Sequence, residues 1–209
     1  MLWILLGIII SYLAGSIPTA YIFGRLLKGV DIRKFGSGNV GATNALRLLG
    51  RGWGITVLIL DIGKGFLPVI ILAQLIGPKT GLAPETFCTL IGISCICGHN
   101  WTIFLRFKGG KGVATTLGVV LGLSVKLAGL KIILGLAILV WLAVFVASRI
   151  ISLASILAAL SFPVLAILFR QPLAIILVSI FLSLFIVFRH KSNIKRILKG
   201  QEPKLSLKK

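Results

Sequence analysis

The sequence predicts an all-α, polytopic transmembrane helix bundle of about seven spans, and three observations predict it. Of the 209 residues, 57% are hydrophobic and only 13% charged, against roughly 25% charged in an average soluble domain. Apolar runs of roughly 20 residues recur from end to end, each long enough as a helix to cross ~30 Å of hydrocarbon. The 23 Lys and Arg, set against four acids (Asp31, Asp61, Glu85 and Glu202), crowd into a few short segments between those runs.

Taken in order, the first run spans about 2–27. It has no basic stretch before it and continues past Pro18, so it reads as a first span and not as a cleaved signal peptide. The next two cover 53–76 and 86–105, and four closely spaced runs follow at 112–128, 130–147, 151–169 and 173–188. Connections as short as Arg170-Gln171-Pro172 imply antiparallel neighbours. The whole chain, 1–209, reads as one integral-membrane domain.

Orientation follows from the cations. Segments 25–52, 106–111, 148–150 and the tail from 189 hold eighteen of the 23, including Lys208 and Lys209. The opposite set holds Lys79, Lys126, Lys131 and Arg170, with Lys64 left inside a span. The positive-inside rule then places the N-terminus outside and the C-terminus in the cytoplasm. Most of these cations are explained by that rule and by anionic headgroups. Because they sit in short loops and not on a basic soluble domain, no nucleic-acid partner is expected. Cys88, Cys95 and Cys97 lie in one apolar stretch without a CxxC pair and read as small buried hydrophobes. Neither a metal-ligand set nor a cofactor motif is visible.

Three polar clusters fall on the cytoplasmic side. In Gly36-Ser37-Gly38-Asn39-Val40-Gly41-Ala42-Thr43-Asn44-Ala45-Leu46-Arg47, the glycines let the backbone turn so that successive N–H groups meet one anion. Ser37, Asn39, Thr43 and Asn44 add donors, and Arg47 suits a phosphate held by two parallel hydrogen bonds. In Phe107-Lys108-Gly109-Gly110-Lys111-Gly112-Val113-Ala114-Thr115, glycines flanked by lysines precede a new helix. That arrangement suggests phosphate held by loop amides and the helix N-terminus. It is no nucleotide loop of the Walker type, since Leu105 and Gly112 stand where that motif needs Gly and Ser or Thr. In Arg189-His190-Lys191-Ser192-Asn193-Ile194-Lys195-Arg196, His190 and Asn193 are three apart and share a helix face. A lipid-bound basic helix would explain the lysines but neither of those two.

Lesser features fit around these clusters. Asp61 and Lys64 are spaced for an i,i+3 ion pair within the second span, where a lone charge costs ~2.5–3.5 kcal/mol. His99 and Asn100 stand where they can join helices or support the glycine–lysine loop. Ser152, at the cytoplasmic border of the sixth span, can reach a ligand. The four tryptophans read as interfacial or packing residues. A transporter would place its substrate site near the midplane within paired repeats, and this chain has no internal repeat.

These segments resemble the bacterial membrane glycerol-3-phosphate acyltransferases that use acyl phosphate, the PlsY family. The resemblance runs through Gly15-Ser16-Ile17-Pro18, the 36–47 loop, Asp61-Ile62-Gly63-Lys64-Gly65, Gly98-His99, the 107–115 loop, and Arg189-His190, Asn193-Ile194 and Gly200-Gln201-Glu202. It implies transfer of an acyl group from acyl phosphate to the 1-hydroxyl of sn-glycerol 3-phosphate at the cytoplasmic face of the bacterial inner membrane. Lysophosphatidic acid and inorganic phosphate would leave, in the first step of phospholipid synthesis.

The resemblance further implies Ser37, His190 and Asn193 as catalytic residues. Gly38, Asn39, Asn44, Arg47, Lys108, Gly109, Gly110, Lys111 and Ser152 would bind substrate. The enzyme that makes acyl phosphate is the expected transient partner, and membrane lipid the expected surroundings. An acyl phosphate is already activated, so positioning and charge stabilisation matter more than a covalent nucleophile. The His-to-Asp pair five residues apart used by other glycerolipid acyltransferases is absent, since Phe104 follows His99 and Lys195 follows His190 at that distance. The hydroxyl proton goes either to His190 or to a donor phosphate oxygen.

Overall fold

The computed structural model describes residues 1–205, so Lys208 and Lys209 of the basic tail lie outside the described residues. Every regular element among them is helical. The chain divides into two compact units, 1–127 and 128–209.

The first unit opens with α1 (Leu2–Ser16) and α2 (Thr19–Lys28). Pro18 separates the two, since proline supplies no N–H to continue the helix, yet together they make a 27-residue apolar segment. A 3₁₀ turn (Ile32–Lys34) and the short α3 (Ala42–Leu49) lead into α4 (Arg51–Leu75), which carries Pro68 within it. Then come α5 (Pro84–Asn100), a 3₁₀ turn at Ile103–Leu105 and α6 (Val113–Lys126). In the second unit, α7 (Gly129–Ser148), α8 (Ile151–Leu168) and α9 (Leu173–Arg189) follow through short connections. The last helix, α10 (Lys191–Leu198), is bent 61° away from α9.

The burial pattern is inverted relative to a soluble protein. The buried face of α1 is Gly7, Ser11, Gly15 and Ser16, while Leu2, Leu5, Ile9 and Leu13 are exposed. Lipid solvates leucine as well as a protein core does, so these helices associate through small residues and interhelical hydrogen bonds. Along the seam between α1 and α5, Ser11 Oγ donates to Ile91 O at 2.7 Å and Ser94 Oγ to Ile8 O at 2.8 Å. A Cβ on Gly15 or Gly98 would strike the backbone of the facing helix. The pairs α4–α6 and α1–α5 have the closest packing in this unit, and α7–α8 and α8–α9 in the other.

Each of the seven expected spans has a helix in its place, but not all are long enough to cross a bilayer alone. Five segments are: Leu2–Lys28, Arg51–Leu75, Pro84–Leu105, Gly129–Ser148 and Ile151–Leu168. Leu173–Arg189 joins them only when taken with its bent continuation. The run expected at 112–128 is a 14-residue helix, ~21 Å long at 1.5 Å per residue. It starts at Val113, one residue after the expected start, and ends at Lys126, two before the expected end. It is sheltered by protein: a Cβ on Gly118 would meet Ile62 O of α4, and one on Gly122 would meet Val69.

Candidate active site

In the first unit the 36–47 loop is built around Asn44. Its side chain is fully buried and donates to Ile32 O at 3.1 Å, Phe35 O at 3.0 Å and Asn39 O at 3.0 Å. Its Oδ1 accepts the Ser37 N–H at 3.3 Å. Gly36 (φ +55°) and Gly38 (φ +69°) occupy left-handed conformations, and a Cβ on Gly36 would press on Asn44 Oδ1 at 2.5 Å. Asn44 therefore holds the loop's shape. Gly41 starts α3. Ser37 and Arg47 are exposed, with Gly38 and Asn39 half-buried beside them. Gly54 lets α4 sit against Leu46, which fixes the short helix that presents Arg47.

The foot of this loop is pinned by Asp31. Arg33 donates to it from Nε at 3.0 Å and from Nη2 at 2.7 Å. This side-chain pairing outweighs burial and holds the Asp31 carboxyl at about 2. Arg25 and Arg33 both lie over the Tyr21 ring, at 5.5 and 5.3 Å. Two of the cations that the sequence places near the loop are thus occupied structurally.

The glycine–lysine loop is anchored to the end of α5. The Gly109 N–H donates to Asn100 O at 3.1 Å and the Gly110 N–H to His99 O at 3.0 Å. A helix end leaves carbonyls in need of donors, and here these two amides supply them at the end of α5. The amides of Gly109 and Gly110 thus tie the loop to the end of α5. The loop presents Lys108, which is exposed, and Lys111, half-buried, ahead of a helix whose N-cap, Gly112 (φ +82°), makes no side-chain cap. Arg106 and Phe107, at φ +55° and +61°, enter the loop in the left-handed region that non-glycine residues rarely adopt. Gly110 also touches the first loop, since a Cβ there would lie 2.8 Å from Val40 O. The two basic loops therefore abut within this unit.

The second unit brings Ser152 and Asn193 together on Glu202 and carries His190 three residues before Asn193. His190 is 3% exposed, and its Nδ1 lies 2.8 Å from Ile186 O. A carbonyl can only accept, so Nδ1 carries the proton and a neutral ring holds its lone pair at Nε2. Ser152 Oγ donates to Glu202 Oε1 at 2.7 Å and Asn193 Nδ2 donates to the same oxygen at 2.5 Å. Arg196 Nε donates to Glu202 Oε2 at 2.6 Å. Burial pushes the Glu202 carboxyl up, but these three hydrogen bonds together hold it below the usual carboxylate range.

Sequence reasoning missed Glu202 and Arg196 as site residues. One signal pointed to them: Glu202 is the only acid in the otherwise basic segment from 189 onward.

Fold and sites together define a polytopic membrane protein whose polar chemistry suits phosphorylated ligands. The family model for glycerol-3-phosphate acyltransferases matches residues 5–200, and the chain belongs to that family, whose members are acyltransferases of lipid biosynthesis. The glycerol-3-phosphate acyltransferase of Gloeobacter violaceus is 44% identical over 195 residues, covering 93% of this chain and 91% of that one. Among solved structures, the glycerol 3-phosphate form of PlsY (YgiH), an integral membrane glycerol 3-phosphate acyltransferase, superposes with a TM-score of 0.85 at 38% identity, over 97% of this chain and 96% of that one. The lysophosphatidic acid form gives 0.82 at 38%, over 97% and 95%.

Proposed function

We propose that this enzyme, acting as one domain over its whole length, transfers the acyl group of acyl phosphate to the 1-hydroxyl of sn-glycerol 3-phosphate. The observation that carries this reading is the pair of abutting basic loops within the first unit; the second unit separately carries a buried histidine whose Nδ1 is tied down. The crystal forms of PlsY with glycerol 3-phosphate and with lysophosphatidic acid support the acceptor and the product.

Arg47 and Lys111 hold phosphate groups, assisted by Lys108, and Ser37 and Asn39 orient the substrate. Nε2 of His190 takes the hydroxyl proton as the oxygen attacks the acyl carbon. The C–O bond to phosphate breaks, and the proton passes to the departing phosphate. Asn193 and Ser152, both gathered on Glu202, set the placement of this machinery.

The test is release of inorganic phosphate by detergent-purified protein given palmitoyl phosphate and sn-glycerol 3-phosphate. Release that requires both substrates, with kcat/KM falling by about a hundredfold or more in Arg47→Ala, supports the reading; a lost bidentate contact to a charged group is worth roughly 1.5–3 kcal/mol or more. No release from a folded, monodisperse sample would overturn it.

The same reading puts the site at the cytoplasmic face of the inner membrane, with the N-terminus outside. Charge supports this, as does Lys79, whose Nζ lies 4.5 Å from the Trp3 ring and so joins the sparsely charged 77–81 connection to the start of α1. In intact cells, Lys79→Cys is expected to react with a membrane-impermeant maleimide, and Lys204→Cys only after permeabilisation. The reverse pattern would invert the topology.

A further inference from the structure

We propose that His99 and Asp61 are positioning residues for the glycine–lysine loop, setting where Lys111 stands without touching substrate; this rests on the reading of that loop as a phosphate holder. Asp61 is 1% exposed within α4. Its Oδ1 accepts from Thr19 Oγ1 at 2.6 Å and lies 2.8 Å from Lys64 Nζ. Lys64 Nζ in turn donates to Ile17 O at 2.8 Å, beside the proline break between α1 and α2. So far the cluster does no more than secure that break.

His99 gives it a second purpose. Its Nδ1 stands 3.9 Å from the same Asp61 oxygen, an electrostatic separation longer than a hydrogen bond. The opposite edge of the ring faces the loop, where any Cβ on Gly110 would run into Nε2. The backbone of His99 holds the same residue, since its carbonyl takes the Gly110 N–H at 3.0 Å. His99 thus grips Gly110 by both main chain and side chain. Asn100 repeats the device one residue on: its carbonyl takes the Gly109 N–H at 3.1 Å, and its amide nitrogen would lie 2.7 Å from a Cβ on Gly112.

Gly110 has Val40 O on its remaining side. The height at which the imidazole holds Gly110 therefore sets both the approach of the two basic loops and the position of Lys111, the next residue. A role confined to packing would ask only for a group of the right volume at 99. It would not place that ring beside the carboxylate that also collects Thr19 and Lys64.

The experiment compares His99→Ala, His99→Gln, Asp61→Asn and Lys111→Ala with the unaltered enzyme, measuring kcat, both substrate KM values, the Ki of inorganic phosphate and the melting temperature. In His99→Ala, the KM of one substrate and the Ki of phosphate are expected to rise together by about tenfold. The other KM should stay within about threefold, since misplacing one binding group weakens the contacts it makes and not all of them. Asp61→Asn should move the same two constants in the same direction, by less. If His99→Ala does not fold, His99→Gln is judged by the same criteria. Unchanged constants in a folded variant would overturn the proposal, as would losses in kcat that simply follow the melting temperature. Were Lys111→Ala to leave both KM values and the phosphate Ki unaltered, the phosphate reading of the loop would itself be wrong.

Discussion

His190→Ala is expected to lower kcat by about a hundredfold or more while the protein stays folded, because a positioned general base typically contributes 10²–10⁴-fold. The geometry behind this is specific. His190 ends α9, its ring is buried, and Ile186 O, one turn back, fixes which nitrogen carries hydrogen. A base needs a lone pair aimed at its proton, and that bond leaves Nε2 to provide it. His190→Gln separates the chemistry from the packing, since the amide fills much of the ring's volume and cannot take up a proton near neutral pH. Both variants should therefore lose kcat, with each KM changing far less. If His190→Ala instead kept kcat within about threefold of normal and raised only KM, the histidine would be a binding group. A phosphate oxygen of the donor would then be the base.

Much of this was legible in the sequence, for reasons particular residues make plain. Membrane helices announce themselves by apolar length, so α1, α4, α5, α7 and α8 follow from composition. The proline at 18 was equally visible, but not its consequence, a helix break at which the Ile17 carbonyl accepts from Lys64. The run at 112–128 was legible as a short span, but not its seam with α4, where Gly118 and Gly122 let the two helices approach. Asn44 and Ser37 looked alike as donors. Only the fold separates them, turning one inward to three carbonyls and leaving the other exposed. The gathering of Ser152 and Glu202 spans fifty positions, a distance over which spacing carries no information.

That gathering makes Glu202→Gln a costly substitution. Gly200, at φ +66°, ends α10 with the Gln201 N–H returning to Arg196 O at 2.8 Å, a left-handed helix stop that sends the chain back beside its own helix. Leu205 N then bonds to Arg149 O at 2.8 Å. The turn delivers a carboxylate to three groups that can only donate in this arrangement: the Ser152 hydroxyl, the Asn193 amide and the Arg196 guanidinium. Glu202→Gln preserves the shape but replaces one accepting oxygen with a donating NH₂, so at least one partner is left facing a donor. Hydrogen bonds to a charged group are worth roughly 1.5–3 kcal/mol each, which predicts a fall in kcat/KM of about a hundredfold. The sign of the pH dependence follows from the depressed Glu202 carboxyl. Its contribution is complete above the ordinary glutamate value of ~4.3 and is lost as pH falls through the lower value of the folded protein. Between about pH 6 and 8 the deficit of Glu202→Gln should therefore be constant. Arg196→Ala removes one of the three partners and should cost less. If folded Glu202→Gln retained kcat/KM within about threefold of the unaltered enzyme, the carboxylate would be only a fastening for the tail, and Ser152 and Asn193 would be placed by their helices alone.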